Sequence, residues 1–151
     1  TDRATTAGAI KEVVESEQKA GHTPDAIVLL QPTSPLRTAG DVLDAVHIFR
    51  KGGCKDTVVS VCEVDHPIDW VGSVDDDNKF IGVSPSYKRS QDYQKEYRLN
   101  GAVYVARADV LLNSHSLFTE SLRASVMPRI RSFDIDEEVD FRLCESLIVD
   151  G

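Results

Sequence analysis

The chain has 151 residues with six Pro and nine Gly, 41% hydrophobic and 28% charged, the proportions of a globular domain and not of collagen, a disordered tail or a coiled coil. A single domain of this length can bury roughly 70% of its unfolded surface, enough for a core without disulfide or metal staples. Seventeen basic against twenty-five acidic residues leave a formal charge of −8, which repels a phosphate backbone or an anionic membrane surface, so neither nucleic acid nor membrane is expected as a partner.

The opening Thr1-Asp2-Arg3-Ala4-Thr5-Thr6 has no apolar stretch behind its Arg, so no secretory signal is expected. A first residue other than Met points to a processed or truncated piece. Residues 6–20 then read as a surface helix, with Ile10, Val13 and Val14 as a narrow apolar stripe and Lys11, Glu12, Glu15 and Glu17 facing away. Gly21 and Pro24 stop it. Within residues 25–30, Ala26-Ile27-Val28-Leu29-Leu30 is the longest aliphatic run. It is far short of the ~20 residues a membrane span needs, and its continuity predicts a strand covered on both faces.

Thr38 and Asp41 stand at capping-box spacing, and Val42, Ala45, Val46 and Phe49 follow at helical intervals until Gly52-Gly53. Thr57-Val58-Val59-Ser60-Val61 is the next strand. This alternation predicts an α/β domain with a mostly parallel sheet. The pattern breaks over residues 66–97. There Trp70-Val71-Gly72-Ser73-Val74 and Lys79-Phe80-Ile81-Gly82-Val83 flank the acidic turn Asp75-Asp76-Asp77-Asn78, which predicts a β-hairpin projecting from the sheet. A strand over 101–105, a short helix over 109–113, a strand over 125–131 and a closing helix over 137–149 complete the chain, the last with Val139, Leu143 and Leu147 on its buried side. Residues 1–151 form one domain with one excursion.

Cys54, Cys62 and Cys144 are odd in number and contain no C-x-x-C pair, which reads as free thiols in a reducing cytoplasm. His22, His47, His66 and His115 are scattered, so a zinc site is not supported. Three segments could carry chemistry. Gln31-Pro32-Thr33-Ser34-Pro35-Leu36-Arg37 leaves the carboxyl end of the first buried strand, where open α/β sheets bind ligands; its plain reading is a stiff strand-to-helix joint. In Asp134-Ile135-Asp136 an extended backbone turns two carboxylates to one side, where they repel unless a cation sits between them. A magnesium ion with several retained waters suits such a pair; the plain reading is acidic residues favouring a helix N-terminus. Lys88, Arg89, Lys95 and Arg98, interleaved with Tyr87, Tyr93 and Tyr97, form either an anion site or a solvated loop.

Taken in order, Leu29-Leu30-Gln31-Pro32-Thr33-Ser34-Pro35-Leu36-Arg37, Tyr97-Arg98-Leu99-Asn100-Gly101-Ala102-Val103-Tyr104 and Ser132-Phe133-Asp134-Ile135-Asp136 make the chain resemble the acylneuraminate cytidylyltransferases, the CMP-sialic acid synthetases and their relatives. The resemblance implies a Rossmann-like fold with helices on both faces of the sheet. It also implies a cytoplasmic homodimer (nuclear in a eukaryotic source) in which the 66–97 excursion reaches the other subunit. The implied reaction moves CMP from CTP to the anomeric hydroxyl of a nine-carbon keto acid of the sialic type, releasing pyrophosphate. Asp134 and Asp136 fall on the family's Mg²⁺ pair. Gln31, Ser34, Arg89, Arg98, Asn100 and Tyr104 fall on substrate-binding positions, Arg98 also on a catalytic one. Phe118 matches an aromatic at the N-acyl end, although Leu117 beside it replaces a frequent second aromatic. The family's L-x-x-R-x-G-S-x-x-x-P-x-K-N phosphate loop does not occur in these 151 residues. Backbone N–H donors and a cation there hold the triphosphate. Without them the expectation is a sugar- and metal-binding portion that is inactive alone, or a non-catalytic relative that dimerises and binds a sugar acid. A glycosyltransferase using D-x-D is disfavoured, because here that motif lies near the end of the chain.

Overall fold

A computed structural model of the chain describes residues 6–82, 94–114 and 116–149. Strand β1 (Ala26–Leu30), β2 (Thr57–Glu63), β5 (Tyr97–Arg107) and β6 (Leu122–Val126) form one sheet in the order β1-β5-β2-β6. β2 and β6 are parallel, while β5 runs antiparallel to both β1 and β2. Three of the four strands therefore share a direction, as the alternation of helices and strands predicts, and β5 is the reversed one. Along the chain β5 is the next strand of this sheet after β2 and pairs with it antiparallel, so no crossover helix is needed between them. That connection is free to project. It carries a one-turn 3₁₀ helix (Ile68–Trp70) and the small hairpin of β3 (Ser73–Val74) and β4 (Phe80–Ile81), where the sequence placed its excursion.

Helices lie on both faces. Helix α2 (Ala39–Lys51) buries Ala45 and Phe49 against Val58, Val103 and Val105. Val105 points to α2, and its neighbour Ala106 therefore points the other way. There it meets Val14 of α1 (Thr6–Lys19) together with Leu111 of α3 (Ala108–Ser114) and Leu117. The predicted box at the start of α2 is formed in full: Asp41 N–H reaches Thr38 Oγ1, and Thr38 N–H reaches the Asp41 carboxylate at 2.8 Å. Gly52 closes the helix by donating to Ile48 O.

Three expectations are corrected. β1 is not covered on both faces: Ile27 and Leu29 pack toward α1 and α3, whereas Val28 and Leu30 are exposed. Among the described residues β1 pairs with β5 alone, so an edge position replaces the central one that its continuous hydrophobicity suggested. Residues 125–131 are not one strand. β6 ends at Val126, and a 3₁₀ turn (Arg129–Arg131) follows Pro128, which has no N–H for a ladder. The closing helix α4 (Glu138–Val149) is rotated from the expected face. Val139 and Leu143 are exposed and Leu147 is half-buried, while Cys144 is buried. Phe141 and Ile148 are exposed as well, at the rim of a groove that they line with Cys144, Pro35 and Ile135. α4 thus inserts Cys144 and leaves most of its apolar side chains exposed.

Candidate functional site

Gln31 leaves the end of β1, and the chain then turns through Pro32 and Pro35 into α2. Arg37 holds this turn from inside: its Nη1 donates to Gln31 O, to Ser34 O at 3.1 Å and to Ala102 O at 3.4 Å. The loop is thereby tied to β5. Ser34 is fully buried, and its hydroxyl has no hydrogen-bond partner.

β5 is interrupted opposite Ser60. Val59 pairs with Tyr104 and Val61 with Leu99, so two steps on β2 are matched by five on β5, and Asn100-Gly101 sits in the resulting bulge. Gly101 has φ +75°, and a Cβ there would lie 2.6 Å from Gln31 Oε1 and 3.7 Å from Asp134 Oδ2. Glycine is favoured by the left-handed backbone, and a Cβ there would push the Gln31 amide aside. Gln31 and Asp134 converge on this one position.

Asp134 arrives on the segment after the 3₁₀ turn. Ile135 N–H donates to Thr33 O at 2.8 Å, which pins the segment to the loop after β1. Asp134 Oδ1 is buried and has no hydrogen-bond partner, an expensive state for a carboxylate oxygen. Tyr104 stands near it: burial first, and the charge of Asp134 second, push its phenol above the ordinary value. Phe118 is exposed and meets Tyr104 edge-on, with centroids 6.2 Å apart and planes at 78°. Its neighbour Leu117 turns into the core, where its carbonyl accepts the Thr57 hydroxyl.

Hydrogen-bond capping at the start of α4 comes from another residue than the acidic pair. Backbone N–H groups of Asp136 and Glu137 are bound by Asp140, at 3.1 and 2.9 Å. The start of α4 is thus capped by Asp140, and the hydrogen bonds found there involve neither the Asp134 nor the Asp136 carboxylate. Asp136 is exposed. Among the described residues no cluster of three or more His, Cys, Asp or Glu groups could hold a metal. Two carboxylates fit a hard divalent cation that keeps waters or ligand oxygens in its remaining positions, and the orphaned Asp134 oxygen fits such a ligand.

The site residues expected from sequence fall into groups. Gln31 and Asp134 meet at Gly101, Tyr104 feels the charge of Asp134, and Phe118 meets Tyr104. Asn100 is 2% exposed and lies behind this group. Arg98 is exposed on β5, and the hydrogen bond it makes runs to Leu99 O. Arg89 lies outside the described residues. Sequence reasoning missed Arg131, whose guanidinium forks onto Asp41 with two contacts of 2.9 Å. Burial alone would raise the Asp41 carboxyl, but Arg131 and Thr38 outweigh it and hold it below the ordinary value. The clamp fixes the 3₁₀ turn that delivers Asp134.

No family model matches the chain. Relatives do. It is 33% identical over 129 residues to a CMP-N,N'-diacetyllegionaminic acid synthase of Legionella pneumophila, covering 82% of this chain and 54% of that protein. It is 30% identical over 144 residues to an N-acylneuraminate cytidylyltransferase of Streptococcus agalactiae, covering 93% of this chain and 33% of that one. The chain thus spans about half or less of these relatives' length. Among solved structures, a CMP:2-keto-3-deoxy-manno-octonic acid synthetase complexed with CTP superposes with a TM-score of 0.67 at 16% identity, covering 99% of this chain and 70% of the other. That likeness confirms the Rossmann-like α/β fold. Through most of its own length the chain is thus similar to acylneuraminate-type cytidylyltransferases, and it shares the fold of a CMP-sugar synthetase.

Proposed function

We propose that this chain supplies the sugar- and metal-binding half of a cytidylyltransferase that moves CMP from CTP to a nine-carbon keto acid of the sialic type, releasing pyrophosphate. The observation that carries the reading is the buried, partnerless carboxylate oxygen of Asp134 beside Gln31 and Tyr104. Asp134 and Asp136 would hold Mg²⁺, which when bound neutralises charge on the transferring phosphate. Gln31 presents an amide able to donate and accept toward sugar hydroxyls. Tyr104 remains a protonated phenol near neutral pH and can donate to an oxygen. Phe118 offers an apolar face to an acyl group. Arg98 and Arg89 would grip the sugar carboxylate, for which a planar guanidinium is suited. Holding acceptor and phosphate in line is where such a site gains most of its rate.

The test is pyrophosphate release from CTP, magnesium and a sialic acid, measured on the 151 residues alone and on any longer chain that the reading frame encodes. Turnover is expected only when a Gly-rich basic loop is present. Robust turnover by the 151 residues would show the nucleotide site to be misplaced.

The same reading gives the hairpin a partner, a second copy of this chain. Val71, Val74, Phe80 and Ile81 are exposed along it, and Trp70 stacks on His66 at 6.0 Å just before. Such an apolar projection is stabilised by burial against another surface. Deleting the excursion should leave a soluble core of lower mass by light scattering and weaken sugar use together with dimerisation. An unchanged dimer would remove this role. No helix among the described residues is long and apolar enough to cross a membrane.

A further inference from the structure

We infer that Asn100 is a positioning residue: with Ser60 and Ser132 it holds the segment bearing Asp134 in place and does not itself contact the sugar. The inference rests on the reading of Asp134 as a site residue and departs from the substrate-binding role that the family resemblance implies for Asn100.

Every polar atom of the Asn100 side chain is already used. Its Oδ1 accepts the Ser60 hydroxyl at 2.6 Å and Ala102 N–H at 3.3 Å. Its Nδ2 donates to Ser132 Oγ at 2.8 Å and to Met127 Sδ at 3.4 Å. The two serines are committed as well. Ser60 Oγ accepts Val103 N–H at 2.7 Å, and the Ser132 hydroxyl donates to Pro128 O at 2.9 Å. Ser60, Asn100 and Ser132 are each 2% exposed or less. A sugar hydroxyl could reach Asn100 only by displacing one of these bonds and leaving a buried group unpaired, which is costly.

The relay also has a direction. It begins in β2 at the bulge, crosses β5 and ends at Ser132, two residues before Asp134. The far side of the same segment is pinned by Ile135 N–H to Thr33 O. Asp134 is thus held between two anchors, one in the sheet and one in the loop that carries Gln31. The chemistry explains why an amide is needed. A carboxylate at position 100 would face Ser132 Oγ with no proton between them, because that hydroxyl's proton is spent on Pro128 O. A fully satisfied buried network of this kind favours one geometry over its alternatives.

The test uses Ser132→Ala, Ser60→Ala and Asn100→Asp, with Asp134→Asn as control. Two readouts are taken: hydrogen exchange at Ile135 N–H relative to Val58 N–H in the core, and Mn²⁺ affinity by electron paramagnetic resonance. Ser132→Ala and Asn100→Asp are expected to speed Ile135 exchange at least tenfold relative to Val58 and to weaken Mn²⁺ binding severalfold, with Ser60→Ala following in the same direction. Ser60 and Ser132 are too buried to touch a ligand, so their effect cannot come from a lost sugar contact. If Asn100→Asp fails to fold, Ser132→Ala decides the matter. Unchanged relative exchange at Ile135 overturns the inference, as does exchange that rises equally at Val58, which marks a merely structural role. Loss confined to sugar affinity in Asn100→Asp, with Ile135 unaffected, overturns it too. Should Asp134→Asn leave Mn²⁺ affinity unchanged, the metal reading of Asp134 fails, while Ile135 exchange still decides whether the relay positions the segment.

Discussion

In a longer chain that carries the nucleotide loop, replacing Asp134 or Asp136 by Asn should lower the proposed cytidylyl transfer by on the order of 10²–10⁴ while leaving the melting temperature level or slightly higher. Each change keeps side-chain shape and removes one negative charge from the pair that would hold the cation, so extra magnesium should restore only part of the rate. Stability moves the other way because the apo protein carries a buried Asp134 oxygen with nothing bound to it. An amide there is less costly than a charge. Tyr104 supplies a reporter in the apo protein. Burial is the larger cause of its raised pKa and Asp134 the smaller, so Asp134→Asn should bring the phenol down only part of the way. The competing explanation, acidic residues serving the α4 terminus, predicts that these variants lose up to about 1 kcal/mol and keep their rate. Asp140, which accepts both N–H groups at that terminus, is the residue expected to behave so. Asp140→Ala should cost about 1 kcal/mol with little change in turnover. Melting temperature and turnover measured on the same three variants separate a ligand-binding pair from a helix cap.

Much of this site was legible because its parts are local in sequence. The Thr38 box, the turn signals around β1, the acidic hairpin turn and the D-x-D segment all declare themselves within a few residues. What could not be read is what depends on distant partners. Asn100-Gly101 looks like the start of a strand, yet β5 already runs from Tyr97, and the pair marks a bulge filled by Ser60 from another strand. The left-handed backbone at Gly101, which favours glycine there, comes with that bulge. The edge exposure of β1 was equally hidden, since an aliphatic run does not say how many neighbours it has. On α4, stripes 139/143/147 and 141/144/148 are both apolar, and neither pattern tells that Cys144 is the residue buried. Arg131 gives no local signal at all. Its partner Asp41 lies 90 residues away, and the capping box accounts for Asp41 so fully that a second role for it is invisible from sequence.

That second role should make the Asp41–Arg131 clamp the most stability-sensitive polar contact near the site. The Asp41 side chain is 4% exposed and that of Arg131 35%. Removing one partner of a fully buried pair costs about 3–5 kcal/mol, and the partial exposure of Arg131 lets water take over some of the lost charge pairing. Arg131→Ala is therefore expected to cost about 2–3 kcal/mol, or roughly 5–10 °C in melting temperature for a domain of this size. The pH dependence fixes the cause. Burial raises the Asp41 carboxyl, but Arg131 and Thr38 lower it further, so its folded value lies below the ordinary 3.8. A depressed carboxyl contributes stability that is fully present above its unfolded pKa and is lost as pH falls through the folded one. The gap between wild type and Arg131→Ala should accordingly be constant from pH 6 to 8 and close below about pH 4, because a protonated Asp41 no longer needs the guanidinium. Arg131→Lys should recover less than half of the loss, since an ammonium cannot match the two parallel contacts of the fork. Melting curves of the three proteins between pH 3 and 8 test this directly, and a gap that stays open in acid would mean that Arg131 acts through packing and not through its charge.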